Sequence, residues 1–303
     1  MARTTGVYPT LIDFEGINHQ QTRKIPARID ELVRFIAAAY KKNAEAVVVE
    51  CMALDPFLQE ITQQKIIQSQ IGVITNVRLD HTDVMGKTKE AIAKSLSLTI
   101  PTDGLLFTAE TEHYNLLESE AQSRNCKLVR VEQSELDLPS NFPVILIKEN
   151  IILALAVCQH LGMDSETALE GMIQSSPDRG AFSIVPFHGT KGILYFANAL
   201  AANDPESTQK LLQKVQELYS GTPLIGLYSH RNDRSWRLNS FKKFMKSSSF
   251  KNIYSSNQFR NNTELINQLV SLEPGSLIFA FGNYKKQGEM LIQEIEKRCC
   301  HKQ

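Results

Sequence analysis

Short apolar runs alternate with longer amphipathic segments along most of the chain, and this alternation restricts the fold more than any other feature. Five runs in the first half have the length of buried strands: 46–49, 71–74, 105–107, 128–131 and 144–147. The segments around them have helical periodicity: 26–41, 56–69, 87–98, 111–125 and 150–161, then 165–173 behind a predicted N-cap, Asp164. Strands and helices that alternate in this way predict a parallel sheet with helices on both faces.

The alternation restarts beyond residue 182 and predicts a second domain. Strand-like runs at 194–197, 224–227, 252–254 and 277–280 alternate with helical patterns at 205–219, 236–246, 263–269 and 288–298. Between the two halves, the polar segment 175–180 contains Pro177 and Gly180, residue types that interrupt regular structure. A chain of 303 residues is also too long for one ordinary core. We therefore predict two α/β domains, residues 1–182 and residues 183–303.

Charge balance and cysteine content exclude several classes of protein. Lys and Arg together number 33, as do Asp and Glu, so the chain lacks the basic surplus of nucleic-acid-binding proteins and we expect no nucleic-acid partner. The longest apolar run, 151–158, is far shorter than the roughly 20 residues of a membrane-spanning helix. The 5 cysteines, an odd number, favour a reducing compartment over a disulfide scaffold. We interpret the adjacent Cys299 and Cys300 as ordinary thiols, because no second cysteine pair lies nearby.

Polar side chains follow two of the predicted strands in the first half. Glu50 comes directly after the first, and the second is followed by Asn76, Asp80, His81 and Asp83. Ligands of open parallel sheets bind beyond the carboxyl ends of the strands. Carboxylate oxygens and an imidazole suit Mg²⁺ or Mn²⁺, with phosphate oxygens completing the coordination. We favour a metal site over the alternative, an ordinary strand-end charge at Glu50 and a polar turn that caps the next helix.

A short segment imitates the end of a phosphate-binding loop. Gly86, Lys87 and Thr88 have the order of the last three residues of Gly-x-x-x-x-Gly-Lys-Ser/Thr. That motif requires another glycine five residues before Gly86, and His81 occupies this position. We therefore reject the segment as a phosphate loop, and no other part of the 303 residues has the motif.

Two further groups of polar residues follow strand-like runs in the second half. Asn203 and Asp204 precede a helical pattern, so Asp204 is either the N-cap of that helix or a ligand of a sugar hydroxyl. Arg231, Asp233 and Arg234 follow the next run. Two guanidinium groups beside a carboxylate can clamp a carboxylate or phosphate ligand, and the alternative is a solvated charge cluster.

Three segments together resemble a known family. Residues 49–54 read Val-Glu-Cys-Met-Ala-Leu, residues 71–77 read Ile-Gly-Val-Ile-Thr-Asn-Val, and residues 80–86 read Asp-His-Thr-Asp-Val-Met-Gly. In this order they resemble the ATP-dependent ligase subunit of poly-γ-glutamate (capsule) synthases, a branch of the Mur ligase superfamily. The resemblance continues through 177–181, 196–204, 231–234 and 282–283 and covers nearly the whole chain.

This resemblance implies a Mur-ligase-like central ATPase domain with a parallel sheet, followed by a smaller Rossmann-like α/β domain. It implies an ATP-dependent acid–amino-acid ligase, in which ATP phosphorylates a carboxylate and an amino group then attacks the acyl phosphate to form an amide. By the same resemblance Glu50 and His81 would hold Mg²⁺ or Mn²⁺ against the nucleotide phosphates. The other implied roles are adenine contact for Asn150 and ribose contact for Asn203 and Asp204. Arg231, Asp233 and Arg234 would be the catalytic residues, of which Arg231 or Arg234 would hold a phosphate or a substrate carboxylate.

Two departures from the family pattern affect the expected activity. Family members begin with a strand and a Gly-Lys-Ser/Thr loop, whereas this chain starts where that unit would end. We expect the phosphate loop to come from a longer form of the chain, a separate polypeptide or an oligomeric partner. Many Mur ligases have a carbamylated lysine for a second metal, but Lys94 is out of register with it, so we expect one metal. The alternative function is a non-catalytic subunit or degenerate fragment of such a ligase.

The expected partners also follow from the resemblance. They are glutamate, a growing poly-γ-glutamate chain and integral-membrane synthase or export subunits. The expected location is the cytoplasm, either free or peripheral at the inner face of the cell membrane.

Overall fold

The chain divides into two compact units, Met1–Ser176 and Pro177–Gln303. The computed structural model describes residues 2–4, 10–20, 29–132, 148–175, 180–202, 204–232 and 235–299. The predicted linker lies at the division between the units, and its residues 176–179 are outside the described part of the chain.

The first unit contains strands and helices in alternation after a strand-rich start. In chain order its described elements are β1 (Ala2–Thr4), β2 (Thr10–Ile12), β3 (Asn18–Gln20), α1 (Asp30–Lys41), β4 (Val48–Val49), α2 (Pro56–Ile61), β5 (Ile71–Ile74), α3 (Lys89–Ser97), β6 (Leu105–Thr108), α4 (Tyr114–Ser123), β7 (Lys127–Arg130), α5 (Lys148–His160) and α6 (Ser165–Gln174). A π-helical segment, Thr62–Ile67, continues α2. The predicted strand 144–147 lies outside the described residues.

Strands β5, β6 and β7 form a parallel three-stranded sheet in that order, which confirms three of the predicted strands. One face of the sheet packs on α3 and α4, where Ile74, Leu106 and Leu117 are buried together with Ala121. Parallel pairing brings the carboxyl ends of the three strands to one edge of the sheet. The polar segments after β5 and β6 therefore lie next to each other.

The strand that precedes Glu50 differs from the expectation. The sequence predicts a buried strand over 46–49, but β4 has only two residues, and Val48 is 68% exposed. It pairs in parallel with β1, in a mixed sheet of order β3-β2-β1-β4 whose other pairs are antiparallel. The prediction of burial is wrong because β1 is its one strand partner among the described residues, and no described element covers Val48.

Side-chain caps start several helices of the first unit at the predicted positions. Asp164 Oδ1 accepts a hydrogen bond from the backbone N of Thr167 at 2.9 Å and caps α6, as predicted. Asp55 caps α2 in the same way, with Pro56 at the first helical position. Each cap satisfies a backbone donor that the helix cannot satisfy itself.

The second unit is a single sheet with helices on both faces. Its described elements are β8 (Ser183–His188), β9 (Ile193–Ala199), α7 (Pro205–Leu218), β10 (Leu224–Tyr228), α8 (Ser235–Ser247), β11 (Asn252–Ser255), α9 (Asn262–Val270), β12 (Leu277–Phe281) and α10 (Gln287–Glu296). The strand order is β11-β10-β12-β9-β8, and all pairs are parallel except β8 with β9. The four parallel strands and four helices confirm the prediction. Sequence analysis does not predict β8, an edge strand that contains Pro186.

Aromatic side chains fill the core between this sheet and helices α7 and α8. Phe281 is fully buried, and its ring lies 5.0 Å from that of Phe244 and 5.6 Å from that of Tyr228, measured between centroids. Leu212 and Val215 of α7 belong to the same cluster. The packed core holds α8 on the sheet. No helix among the described residues combines the length and apolar character that a membrane crossing requires.

Candidate functional site

His81 lies in a structured turn after β5. Its backbone has φ of 48°, and its carbonyl accepts hydrogen bonds from the backbone N of Val84 and of Met85, both at 2.9 Å. Asp80 Oδ1 accepts a hydrogen bond from the backbone N of His81 at 2.8 Å, and Asp80 Oδ2 lies 3.5 Å from His81 Nε2. The imidazole is about one quarter exposed. The turn therefore presents a carboxylate and an imidazole together at the surface.

Buried residues on both sides hold this turn in place. Val77 before it and Met85 after it pack with Ile92 and Ala93 of α3 in one small apolar cluster. Met85, which belongs to the segment 80–86 quoted above, thus has a structural role, because it anchors the end of the turn that carries His81.

A buried carboxylate that sequence analysis did not single out joins the loops after β5 and β6. Glu110 is 4% exposed, and its two oxygens accept hydrogen bonds from the backbone N of Val77 at 2.6 Å and of His113 at 3.0 Å. Thr108 Oγ1 accepts a hydrogen bond from the backbone N of Glu110 and donates one to the carbonyl of Ile74. These bonds tie the segment that leads to His81 to the neighbouring strand. The sequence did contain a signal for this residue: Glu110 comes two residues after the end of β6, much as Glu50 directly follows β4.

Glu50 is exposed and directly follows β4. Because β4 and β5 belong to different sheets, strand pairing alone does not place Glu50 beside His81. Within the described ranges, no group of three or more His, Cys, Asp or Glu side chains is arranged to hold a metal ion. Any metal that Glu50 and His81 share would thus take most of its ligands from a nucleotide and from water.

The segment that imitates a phosphate loop is a helix start. Thr88 Oγ1 accepts a hydrogen bond from the backbone N of Ala91 at 3.1 Å and caps α3. Gly86 has φ of 124°, and a Cβ at this position would lie 2.5 Å from the Cβ of Ala91. Close packing explains the glycine and helix capping explains the threonine, so neither residue requires a bound phosphate.

Of the expected nucleotide contacts, Asn150 and Asp204 are described, whereas Asn203 lies outside the described residues. Asn150 is exposed in the first turn of α5. Asp204 is 7% exposed and caps α7, with its Oδ1 accepting a hydrogen bond from the backbone N of Ser207 at 2.8 Å. The N-cap alternative for Asp204 is confirmed, and its contact with a ribose stays a prediction.

Two substitutions at Asp204 separate these roles. We expect Asp204→Ala to lower the unfolding free energy of the second unit by about 1 kcal/mol, because the cap is lost. Asp204→Asn retains a capping oxygen, so we expect little change in stability. Denaturant unfolding measures both values, and equal stability of the two variants would contradict the capping role. If Asp204→Asn is stable but binds Mg-ATP more weakly, the carboxylate has a second role in ligand binding.

The residues of the predicted arginine clamp follow β10 in the chain, and their role stays a prediction. Arg231 is described and half-buried, whereas Asp233 and Arg234 lie outside the described residues. His230 donates a backbone hydrogen bond to Ser256 Oγ at 2.8 Å, and Ser256 Oγ donates one to Gln287 Oε1 at 2.7 Å. The described start of the loop after β10, residues 229–232, which we call the clamp loop, is therefore tied to the residue after β11 and to the start of α10.

A buried arginine links the clamp loop to the end of β12. Arg237 is 1% exposed, and its Nη1 donates hydrogen bonds to Asn283 Oδ1 at 3.0 Å and to the carbonyl of Gly282 at 3.3 Å. Asn283 Nδ2 in turn donates one to the carbonyl of Ser229 at 2.8 Å. Burial raises the pKa of the nearby Tyr228 phenol, and the positive charge of Arg237 opposes that rise. The network fixes the first residues after β10 against those after β12.

The short distance between the ends of β10 and β12 explains why residue 282 is a glycine. Its φ is 106°, and a Cβ there would lie 2.6 Å from the Tyr228 ring and 3.1 Å from the carbonyl of Ser229. Only glycine fits this backbone without moving β10. Sequence analysis noted Gly282 and Asn283 by position but missed Arg237. The signal was its place on the core face of α8, one turn before Phe241 and two before Phe244.

Comparison with known proteins identifies relatives along most of the chain. Residues 184–262 match the model of the poly-gamma-glutamate synthase CapB C-terminal domain. Capsule biosynthesis protein CapB of Bacillus anthracis is 36% identical over 248 residues, which are 80% of this chain and 53% of that protein. PGA synthase CapB of Bacillus subtilis (strain 168) is 34% identical over 246 residues, 80% of this chain and 63% of that protein. The chain thus spans between about half and two thirds of the length of these relatives.

Solved structures share the fold at lower sequence identity. E. coli FolC in complex with DHPP and ADP superposes with a TM-score of 0.63 at 17% identity, over 83% of this chain and 67% of that one. The bifunctional folylpolyglutamate synthase/dihydrofolate synthase of Yersinia pestis, complexed with AMPPNP and Mn ion, gives a TM-score of 0.59 at 14% identity, over 82% and 66%. These values support the predicted Mur-ligase-like fold. In sequence, the chain is similar over 80% of its length to the CapB proteins of two Bacillus species, and its residues 184–262 match the C-terminal domain of the poly-gamma-glutamate synthase CapB.

Proposed function

We propose that this chain takes part in ATP-dependent ligation of glutamate during poly-γ-glutamate synthesis. The observation that carries the proposal is identity of 36% and 34%, over 80% of this chain, to two CapB proteins named for capsule biosynthesis and PGA synthesis. The fold adds support, because it is shared with ligases crystallised with ADP or with AMPPNP and Mn.

The proposed reaction has two steps. A carboxylate of the growing chain attacks the γ-phosphorus of ATP, which forms an acyl phosphate and releases ADP. The amino group of glutamate then attacks the acyl carbon, inorganic phosphate leaves, and the amine loses a proton as the amide forms. Little covalent chemistry falls to the protein in the first step, so its main tasks are to position the reactants and to stabilise charge.

Glu50 and His81 are suited to a divalent cation at the nucleotide phosphates. Protein sites for Mg²⁺ often supply only one or two ligands, with phosphate oxygens and water providing the rest. One carboxylate and one imidazole match that pattern, and an imidazole also suits Mn²⁺. When bound, such an ion supplies charge stabilisation as the γ-phosphoryl group moves.

The remaining predicted residues would bind and orient the reactants. In this proposal Asn150 hydrogen-bonds to the adenine, and Asn203 and Asp204 contact the ribose. Arg231 and Arg234, with Asp233 between them, hold a phosphate or a substrate carboxylate. The half-burial of Arg231 and the network around Arg237 support this role for Arg231, because a bidentate guanidinium contact requires a side chain whose backbone is held in place.

The phosphate-binding loop and the partners complete the proposal. Since the 303 residues contain no Gly-x-x-x-x-Gly-Lys-Ser/Thr, the loop that cradles the phosphates would come from outside them, in a longer chain or in another polypeptide. Integral-membrane synthase and export subunits would be the partners, with this part of the enzyme at the cytoplasmic face of the membrane.

Calorimetric titration with Mg-ATP tests the metal part of the site. We expect Glu50→Ala to weaken Mg-ATP binding about tenfold or more, since a direct metal ligand is lost. Glu45→Ala is the matched control, because Glu45 is also exposed and lies five residues earlier. Equal affinity of the two variants would contradict the role of Glu50.

Glutamate-dependent release of ADP tests the reaction itself. The assay contains the chain, Mg-ATP, a poly-γ-glutamate acceptor and a polypeptide that carries the phosphate loop, and glutamate is omitted in the control. The expected result is continued release of ADP, beyond one ADP per enzyme molecule, only when glutamate is present. A folded chain that neither binds Mg-ATP nor releases ADP under these conditions would instead be a non-catalytic subunit.

A further inference from the structure

One segment of the second unit contains positive charges but no negative ones. Residues 234–263 contain seven Lys or Arg residues and no Asp or Glu, although the whole chain has 33 of each class. Helix α8 forms the first part of this segment, and it lies within residues 184–262. Arg234 and Arg237 of this segment already have roles in the proposed clamp and in the buried network, but the reaction proposed above gives no role to the three lysines of α8.

The packing of α8 sends its lysines outward. Phe241 and Phe244 are buried at 0% and 4% exposure on the core side of the helix. Lys242, Lys243 and Lys246 are exposed, and together with Asn239 and Ser247 they form a shallow, open part of the surface of α8. We call these three lysines the lysine face of α8.

Several lysines elsewhere in the chain form ion pairs, whereas those of the lysine face form none with the described residues. Lys94, Lys191 and Lys297 each bind a glutamate oxygen within the chain, at 2.8, 2.5 and 2.5 Å. None of the three α8 lysines forms an ion pair with a residue in the described ranges. Three neighbouring cations without counter-charges repel one another, and Lys242 and Lys246 stand at the i, i+4 spacing where that repulsion acts directly. A bound polyanion would relieve it.

The chemistry of the surface favours a polycarboxylate. An ammonium group is a compact charge on a flexible stem, so it can follow the carboxylates of a flexible polymer without a fixed geometry. Helices that insert into a membrane surface carry exposed large apolar side chains beside their lysines. The described side chains of α8 include no exposed large apolar one, and none of them is an exposed aromatic on which a nucleic-acid base could stack.

We propose that the lysine face of α8 binds the poly-γ-glutamate chain, outside the residues that carry the ligation chemistry. This inference rests on the proposed function, since it takes the polymer to be the product of this enzyme. A chain held there after each addition would stay near the enzyme, which raises its effective concentration for the next step. The contact is electrostatic and therefore weakens as salt rises.

Fluorescence anisotropy with labelled poly-γ-glutamate, in the absence of ATP, tests the proposal. The test variant is K242Q/K243Q/K246Q, and the matched control is K94Q/K191Q/K297Q, which removes the same number of charges from paired lysines. Gln and Lys have similar helix propensity, so both variants should fold, and circular dichroism checks this. We expect the test variant to bind the polymer about tenfold or more weakly, with a shallower salt dependence, and the control to change less than about twofold.

Three results would overturn the proposal. One is unchanged polymer binding by the test variant, and another is an equal loss in both variants, which would show an effect of net charge alone. The third is tighter binding of duplex DNA or of phosphatidylserine vesicles than of the polymer through the same lysines. Because no ATP is present, failure here leaves the ligase proposal standing, and failure of glutamate-dependent ADP release leaves the polymer-binding result standing.

Discussion

Arg237→Met is expected to lower the free energy of unfolding of the second unit by about 2–4 kcal/mol, because it leaves two buried acceptors without their donor. These acceptors are Asn283 Oδ1 and the carbonyl of Gly282, which lie 3.0 and 3.3 Å from Arg237 Nη1. Methionine fills part of the space but donates no hydrogen bond. Denaturant unfolding of wild type and variant gives the difference directly.

Two further variants sharpen this test. Arg260→Met removes an exposed arginine of the same unit, so its stability should change by less than about 0.5 kcal/mol. Arg237→Lys retains the charge but not the planar guanidinium, and should be intermediate. If Arg237→Met proves as stable as Arg260→Met, the network does not hold the ends of β10 and β12 together. Faster amide exchange at His230 in Arg237→Met would show that the clamp loop has loosened.

Glu110→Ala is expected to lower the free energy of unfolding of the first unit by about 2–4 kcal/mol. It removes the acceptor for two backbone donors, Val77 N and His113 N, and Val77 is only 1% exposed. A buried donor left unsatisfied costs about 1–3 kcal/mol. Thermal or denaturant unfolding measures the loss, and the turn that carries His81 should be the first region to exchange its amide protons.

The control for this substitution lies two residues away. Glu112 is largely exposed and binds Lys89 Nζ at 2.8 Å, and that contact lowers the pKa of its carboxyl group. Exposed ion pairs contribute little to stability, so Glu112→Ala should remain close to wild type. Similar losses for Glu110→Ala and Glu112→Ala would mean that the buried hydrogen bonds do not position the turn.

Periodicity predicted most strands and helices correctly, because the spacing of apolar residues in each element follows the face that is buried. The four parallel strands of the second unit, the strands β5 to β7 and the helices between them were all found within a few residues. From its position before a helical pattern, Asp164 was predicted as an N-cap and Asp204 as either an N-cap or a ligand of a sugar hydroxyl, and the structure confirms the two caps. Helix periodicity and N-caps depend on residues close together in the sequence, so one sequence is enough to predict them.

Predictions failed where contacts with residues distant in the sequence determine the local structure or burial. The exposure of Val48 depends on which strands flank β4, and nothing in the run of valines encodes that choice. Strand β8 was missed because its Pro186 is typical of a turn, although an edge strand tolerates it. Burial of Glu110 depends on Val77, which lies 33 residues earlier in the chain.

By itself, the sequence determined the fold class, the helix starts and the polar residues at the strand ends, since these follow from local hydrophobic pattern and capping chemistry. Only the tertiary structure decided which charges are buried and which face water. Arg237 is held inside by acceptors 45 and 46 residues away, while the lysines of the same helix point outward. The physical reason is that burying a charge is tolerable only where distant groups bond to it, and a linear pattern does not show which groups meet.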